Sequence, residues 1–234
     1  MVDASPGPML QARPVRPSFV ARHLDPDDRI GEYLFGAIMA LSFTLGAGLV
    51  VEEGPEATRQ ILVGLLGCNI AWGVIDGAMY VLGNVLERSR KLRVLEAIRS
   101  ASREEDALAL IARELDEHLE PIASDPERRR LYQTLASRLK TLPPARSRVE
   151  REDLLGAVAV FWVVFLSTVP AILPFFVLED RFTALRVANL LLLASLFGAG
   201  WRWARATGNN PWRFGASLVL MGLVLVAVAI VLGG

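Results

Sequence analysis

Asn69 and Asp76 stand seven residues apart in LVGLLGCNIAWGVIDGAMYVLGNV (residues 62–85), a stretch long and apolar enough to cross a bilayer. Seven residues are close to two helical turns, so both side chains share one face. A carboxylate at membrane depth costs roughly 2.5 to 3.5 kcal/mol on insertion scales, so it usually faces a partner or a water-filled path. Gly73 lies on the same face, and Met79 and Tyr80 follow about one turn later. A carboxylate, an amide oxygen and a thioether are ligands for a divalent cation, and the acid alone can carry a proton. An interhelical hydrogen bond that fixes packing is the competing reading.

Glu32 opens the preceding apolar stretch, with Phe35, Gly36 and Met39 along its face. It either complements the helix macrodipole at an N-terminus or lines the same path as Asp76. Ser42 and Thr44 are expected to bond back to carbonyls of their own helix.

A second set of ligand types is the acidic run Glu104, Glu105, Asp106, Glu114, Asp116, Glu117, His118 and Glu120. Glu114 with Glu117 is an i,i+3 pair and Glu114 with His118 an i,i+4 pair, so they can converge on one face. Glu104, Glu105, Glu114, Glu117 and His118 are the candidate metal ligands, an oxygen-rich set that suits Fe2+, Mn2+ or Zn2+. The solvated face of an amphipathic helix, paired with Arg103 and Arg113, explains the same residues. Pro170 and Pro174 form a third feature, at i,i+4 in an apolar stretch. Each frees a backbone carbonyl and bends the helix, as a gate or as a static kink.

Other chemistries are absent from the pattern. No nucleophile–base pair, phosphate loop or zinc signature occurs, so an enzyme is not expected. The single cysteine, Cys68, excludes an intrachain disulfide and reads as a buried thiol. Net charge is zero, which gives no basis for binding nucleic acid. The five tryptophans suit membrane interfaces and packing.

The positioning elements are five apolar blocks, at about 32–51, 60–85, 154–178, 184–203 and 213–232. Hydrophobic residues make up 53% of the chain, and they are gathered into lengths that span about 30 Å of hydrocarbon. Asp25-Pro26-Asp27-Asp28 marks a helix start, Gly54-Pro55 a break, and residues 207–211, TGNNP, a tight turn. Lys and Arg cluster before the first block, in residues 86–152 and between blocks four and five. This places the N-terminus and the long loop in the cytoplasm and the C-terminus outside. Within the loop, apolar residues recur at helical spacing, Ser102 and Glu105 form a capping-box pattern, and Asp125-Pro126-Glu127 starts a further helix. About three helices should bundle there, continuous with the second span.

The fold class is therefore all-α: a polytopic membrane protein of five transmembrane helices with a cytoplasmic helical bundle inserted between spans two and three. Residues 1–28 read as a disordered tail and 29–86 as spans one and two. Residues 87–152 read as the helical domain and 153–234 as spans three to five. The Pro-rich N-terminal stretch has no apolar core for a secretory signal, so a bacterial-type plasma membrane is the simplest location.

This layout resembles the vacuolar iron transporter family of divalent-cation/proton exchangers. GEYLFGAIMALSFTLGAG is similar to the family's first helix, with Glu32 where the family has an aspartate. VPAILPF resembles its paired-proline motif, and residues 197–234 resemble its last hairpin. In place of the family's Ser-Met and Gly-Glu-Tyr, the second span reads VIDGAMYVLG, which hands those roles to Asp76, Met79 and Tyr80. No methionine lies between Met79 and Met221, unlike the family's metal-binding domain. The resemblance implies a homodimer with an ion path near the two-fold axis between spans one and two. It further implies Fe2+ or Mn2+ exchanged for protons and exported from the cytosol, with no permanently bound cofactor. Glu32, Met39, Asn69, Asp76, Met79 and Tyr80 would line the path. The alternative is a non-transporting scaffold or sensor whose loop domain binds a partner.

Overall fold

A computed structural model of the chain describes residues 18–50, 56–141, 143 and 146–231. Among these residues every regular element is helical. Five helical stretches are long and apolar enough to cross a membrane: Pro26–Ala47, Ala57–Ser100, Arg151–Val177, Arg181–Thr207 and Pro211–Val228. The chain is an integral membrane protein. Of the tail expected over 1–28, residues 1–17 lie outside the described residues. The rest is largely helical: α1 covers Phe19–His23, and α2 begins at Pro26. Ser18 caps α1 by accepting from the Ala21 amide (3.3 Å), a local bond that the Pro and Arg content concealed.

Residues 74–158 form one compact unit, and the remaining described residues form another. The latter is built from α2 (Pro26–Val50), the first part of α3 (Ala57–Ser100), α7 (Val169–Ile172), α8 (Pro174–Val177), α9 (Arg181–Thr207) and α10 (Pro211–Val231). Its core joins Leu34, Ala37, Ala40 and Leu41 of α2 to Leu192 and Leu196 of α9 and Leu218 and Val226 of α10. Ala37, Ala40 and Leu41 recur at three and four residues, one helical face, and the alanines keep that face narrow. Association of helices in lipid rests on such close packing rather than on expulsion of water. Thus a Cβ on Gly200 would stand 3.0 Å from the Gly215 Cα, and only glycine lets α9 and α10 approach this closely.

The α9–α10 turn has the form that TGNNP specifies. Gly208 ends α9 at φ 72°, a left-handed conformation that glycine adopts without strain. Asn210 then caps α10 by accepting from the amides of Trp212 (3.1 Å) and Arg213 (3.2 Å), with Pro211 opening the helix.

The third span is interrupted rather than merely bent. α6 (Arg151–Leu166) stops before α7, and Ser167 and Thr168 between them are fully buried. Pro170 has no N–H to give the Leu166 carbonyl, and its ring crowds that carbonyl, so the helix fails ahead of the proline. The two hydroxyls take up part of the exposed backbone: Ser167 Oγ donates to the Val164 carbonyl (2.7 Å) and Thr168 Oγ1 to that of Phe165 (2.5 Å). Gly36 of α2 admits this turn, since a Cβ there would lie 2.2 Å from Ser167 Oγ and 3.0 Å from the Val164 carbonyl oxygen.

The other unit holds the rest of α3, then α4 (Glu104–Leu119), α5 (Asp125–Thr141) and the start of α6. At 44 residues α3 is about 66 Å long, twice what hydrocarbon requires, and it runs on into the bundle. Ile98 of α3, Ala107 and Ile111 of α4, and Tyr132 and Ala136 of α5 form the bundle core. The capping box lies elsewhere than expected. Arg103, not Ser102, precedes α4 and makes no side-chain cap, whereas Ser124 donates its amide (2.9 Å) and hydroxyl (2.6 Å) to Glu127 at the start of α5. Three acids in the first turn of α4 already oppose its dipole, so a hydroxyl cap is not needed there.

Candidate ion pathway

In the first unit the helical face of α2 carries Glu32, half-buried, and Met39 about two turns later. Cys68 of α3 sets its Sγ 3.8 Å from Met39 Sδ, placing a thiol beside the thioether. The free thiol expected to be buried is half-buried. Only the packing of α2 on α3 shows what it touches. Asn69, the next residue, is fully buried. Its Nδ2 donates to the Leu65 carbonyl (3.3 Å), while its Oδ1 is buried without a partner among the described residues. Such an oxygen forfeits hydration and gains nothing from the protein in return.

Ser42 and Thr44 bond back to their helix as expected, to the carbonyls of Ile38 (3.0 Å) and Ala40 (2.9 Å). Thr44 also reaches across to Asn189 Oδ1 of α9 (2.6 Å). With one proton to give, its hydroxyl serves one of these oxygens at a time. Asn189 is a second residue whose role depended on the tertiary fold.

In the second unit Asp76 is half-buried, and its Oδ2 is buried with no hydrogen-bond partner among the described residues. The residues around it bring α3 close to α6. A Cβ on Gly77 would lie 2.9 Å from the Ala157 carbonyl oxygen, and Gly156 leaves room for the Tyr80 ring. Tyr80 therefore packs against α6, whereas Met79 is 61% exposed. Glu32, Met39 and Asn69 belong to one unit and Asp76, Met79 and Tyr80 to the other.

Near the end of the apolar part of α3, a polar cluster joins residues more than sixty positions apart. Arg88 holds Asp153 in a two-pronged ion pair, Nη2 to Oδ1 at 3.0 Å and Nη1 to Oδ2 at 3.2 Å. Asp153, only 3% exposed, also accepts from Asn84 Nδ2 (3.3 Å) and from the Glu150 amide (2.8 Å). The last bond is half of a capping box for α6. Arg88 further donates to the Arg148 carbonyl (2.6 Å), so one guanidinium ties the segment before α6 to α3.

The acids of α4 do not assemble into a ligand set. Glu104, Glu105, Glu114, Glu117 and His118 are all exposed. No group of three or more His, Cys, Asp or Glu side chains able to hold a metal occurs among the described residues. Spacing places Glu114, Glu117 and His118 on one face; Glu87 of α3 lines the same cleft as Glu114, but no third ligand completes a group among the described residues. The acid that the fold engages is Asp116, which accepts from Tyr132 Oη (2.7 Å) and Arg128 (3.1 Å). Tyr132 would lose that bond on ionising, so its hydroxyl titrates above the ordinary tyrosine range. Asp125 and Asp116 likewise hold Arg128 more firmly protonated, and the two bonds from Ser124 keep Glu127 below the usual glutamate range.

Residues 86–234, well over half of the chain, match the model of the VIT family, the vacuolar iron transporters. The chain belongs to this family. The match takes in the bundle, the interrupted third span and the last hairpin, and it begins just after Tyr80 and the other proposed path residues of spans one and two. No curated protein matches the chain. Membership of the VIT family supports transport of metal ions across a membrane and gives no support to an enzymatic role.

Proposed function

We propose that this VIT-family protein exports a divalent metal cation, Fe2+ or Mn2+, from the cytosol in exchange for protons. In this reading it acts as a homodimer whose ion path runs beside spans one and two, in a bacterial-type plasma membrane. The N-terminus and the bundle face the cytoplasm, and the C-terminus lies outside. The observation that carries the reading is Asp76: an acid in a membrane-length helix with one carboxylate oxygen buried and unpartnered. A carboxylate kept there for packing would be paired. One kept for transport holds a cation when ionised and lets it go when protonated, which couples the two fluxes. The buried Asn69 Oδ1, without a partner, is a second oxygen suited to a passing cation, and Met39 adds a softer one-atom ligand that favours Fe2+ over Ca2+.

The path residues are then Glu32, Met39, Asn69, Asp76, Met79 and Tyr80. The break at Pro170 and Pro174 supplies a bend that can move with the transport cycle. The exposed Glu104, Glu105, Glu114 and Glu117, with His118, would gather cations only by drawing ligands from a second copy or from water.

The test is exchange in proteoliposomes containing the full chain, with Fe2+, Mn2+, Zn2+ and Ca2+ supplied in turn and internal pH recorded. Wild type should move protons against Fe2+ or Mn2+, while Asp76→Ala should lose at least about tenfold of that rate, the loss of one charged ligand. Normal exchange by both Asp76→Ala and Glu32→Ala would falsify the path. If wild type shows no metal-dependent flux and residues 87–152 retain a protein partner, the scaffold reading replaces transport.

A further inference from the structure

Beyond the ion path, the second unit contains a cleft of about 650 Å³ between α3, the end of α5, and Pro143, Arg146 and Ser147. We propose that it binds the phosphate-bearing headgroup of an anionic phospholipid. Three arginines, Arg93, Arg99 and Arg146, line it against a single acid, Glu96. Arg99 Nη1 pairs with Glu96 Oε2 at 3.2 Å, while its Nε is buried without a partner. Arg93 and Arg146 have no ion-pair partner among the described residues. The cleft therefore holds about two uncompensated positive charges, an arrangement suited to a phosphodiester oxygen pair.

Its position selects a lipid over a free ion. Ser89 and Ser147, at its near end, both donate to the Val85 carbonyl, at 2.7 and 3.1 Å. Val85 closes the apolar stretch of the second span, so the cleft begins where hydrocarbon ends. Arg93 lies eight residues farther, about 12 Å along the axis, and its side chain leans back toward the helix N-terminus. That brings its guanidinium toward the headgroup layer, which is about 5 to 7 Å deep on each side. Leucine side chains supply an aliphatic floor that a free phosphate would not use but a glycerol and its first methylenes would cover. Clusters of basic residues just past a span bind anionic headgroups at about one kcal/mol per side chain, which is a factor of five.

The inference requires the membrane reading but not the identity of the transported ion. Its test uses the full chain in detergent, with retained lipid counted by native mass spectrometry and thermal protection measured in parallel. Phosphatidylglycerol should bind and protect, phosphatidylcholine should not, and inorganic phosphate at the same concentration should do neither. The double variant Arg93→Gln/Arg146→Gln should lose about twenty-five-fold in phosphatidylglycerol affinity. Arg93→Lys/Arg146→Lys should regain part of it, and Arg113→Gln/Arg130→Gln, with the same net charge change elsewhere on the bundle, should bind as wild type does. Equal losses in both glutamine pairs would reduce the effect to net charge and overturn the site. Equal protection by inorganic phosphate would overturn the lipid assignment. An altered helix content in the glutamine pair transfers the decision to the lysine pair, whose failure to bind overturns the proposal.

Discussion

Asp153 illustrates how much one side chain can depend on residues far away in sequence. Its carboxylate is almost fully buried and takes bonds from Arg88, Asn84 and the Glu150 amide. Removing Asp153 leaves the half-buried Arg88 only its longer pair with the exposed Glu150 (3.5 Å), so Asp153→Ala should lower the thermal midpoint by roughly 5 °C. Asp153→Asn, which keeps the shape and some hydrogen bonds, should lose less. Differential scanning fluorimetry of the two variants separates these outcomes, and midpoints equal to that of the wild type would show that the cluster carries no net stability. Glu127 gives a pH-dependent counterpart. Its folded pKa is depressed by Ser124, so the stability it supplies is complete above the unfolded value, about 4.3, and is lost as pH falls through the lower folded value. Protection of the amides at the start of α5, taken relative to their intrinsic exchange rate at each pH, should fall in that acid window, and Glu127→Gln should remove the dependence.

At the scale of helices, two glycines set how closely spans approach. Gly36 faces Ser167 Oγ and the Val164 carbonyl, and Gly77 faces the Ala157 carbonyl. A backbone oxygen cannot rotate away as a side chain can. Gly77→Ala should therefore force α3 from α6 and destabilise the protein by about 1 to 3 kcal/mol. Gly36→Ala meets a hydroxyl first, so pairing it with Ser167→Gly should restore part of the loss. Denaturation of the single and double variants in detergent measures both, and a fully stable Gly77→Ala would mean the helices can separate without penalty. The interruption at Ser167 and Thr168 follows the same logic. The prolines were visible in sequence, but the hydroxyls that accommodate the break acquired meaning only once Gly36 was placed against them.

For the whole molecule, the distribution of Lys and Arg predicts a topology that labelling can check. In a Cys68→Ala background, Glu120→Cys and Asn209→Cys should react with an impermeant maleimide only from the cytoplasmic side, and Glu179→Cys only from the other. Reaction of Glu120→Cys and Glu179→Cys from one side would refute the five-span alternation. The role proposed for Asp76 belongs to this scale too, because a single buried acid would perform exchange only if the chain around it admitted cation and proton alternately.

Five membrane-length helices, the TGNNP hairpin and further helices within residues 87–152 were all legible in the amino-acid sequence. Each follows from local quantities: apolar length against bilayer thickness, proline and glycine geometry, and 3.6-residue periodicity. Family resemblance was readable as well, since its motifs are short and contiguous. Tertiary structure alone decided which polar groups meet. Thr44 finds Asn189 and Arg88 finds Asp153 across long stretches of chain, and Met39 finds Cys68 on the next helix. Glu114, Glu117 and His118 share a face of α4 yet form no metal group among the described residues. Spacing within one helix specifies which side chains are parallel. A site also needs groups from a second helix, and their arrival depends on packing between segments that local sequence does not encode.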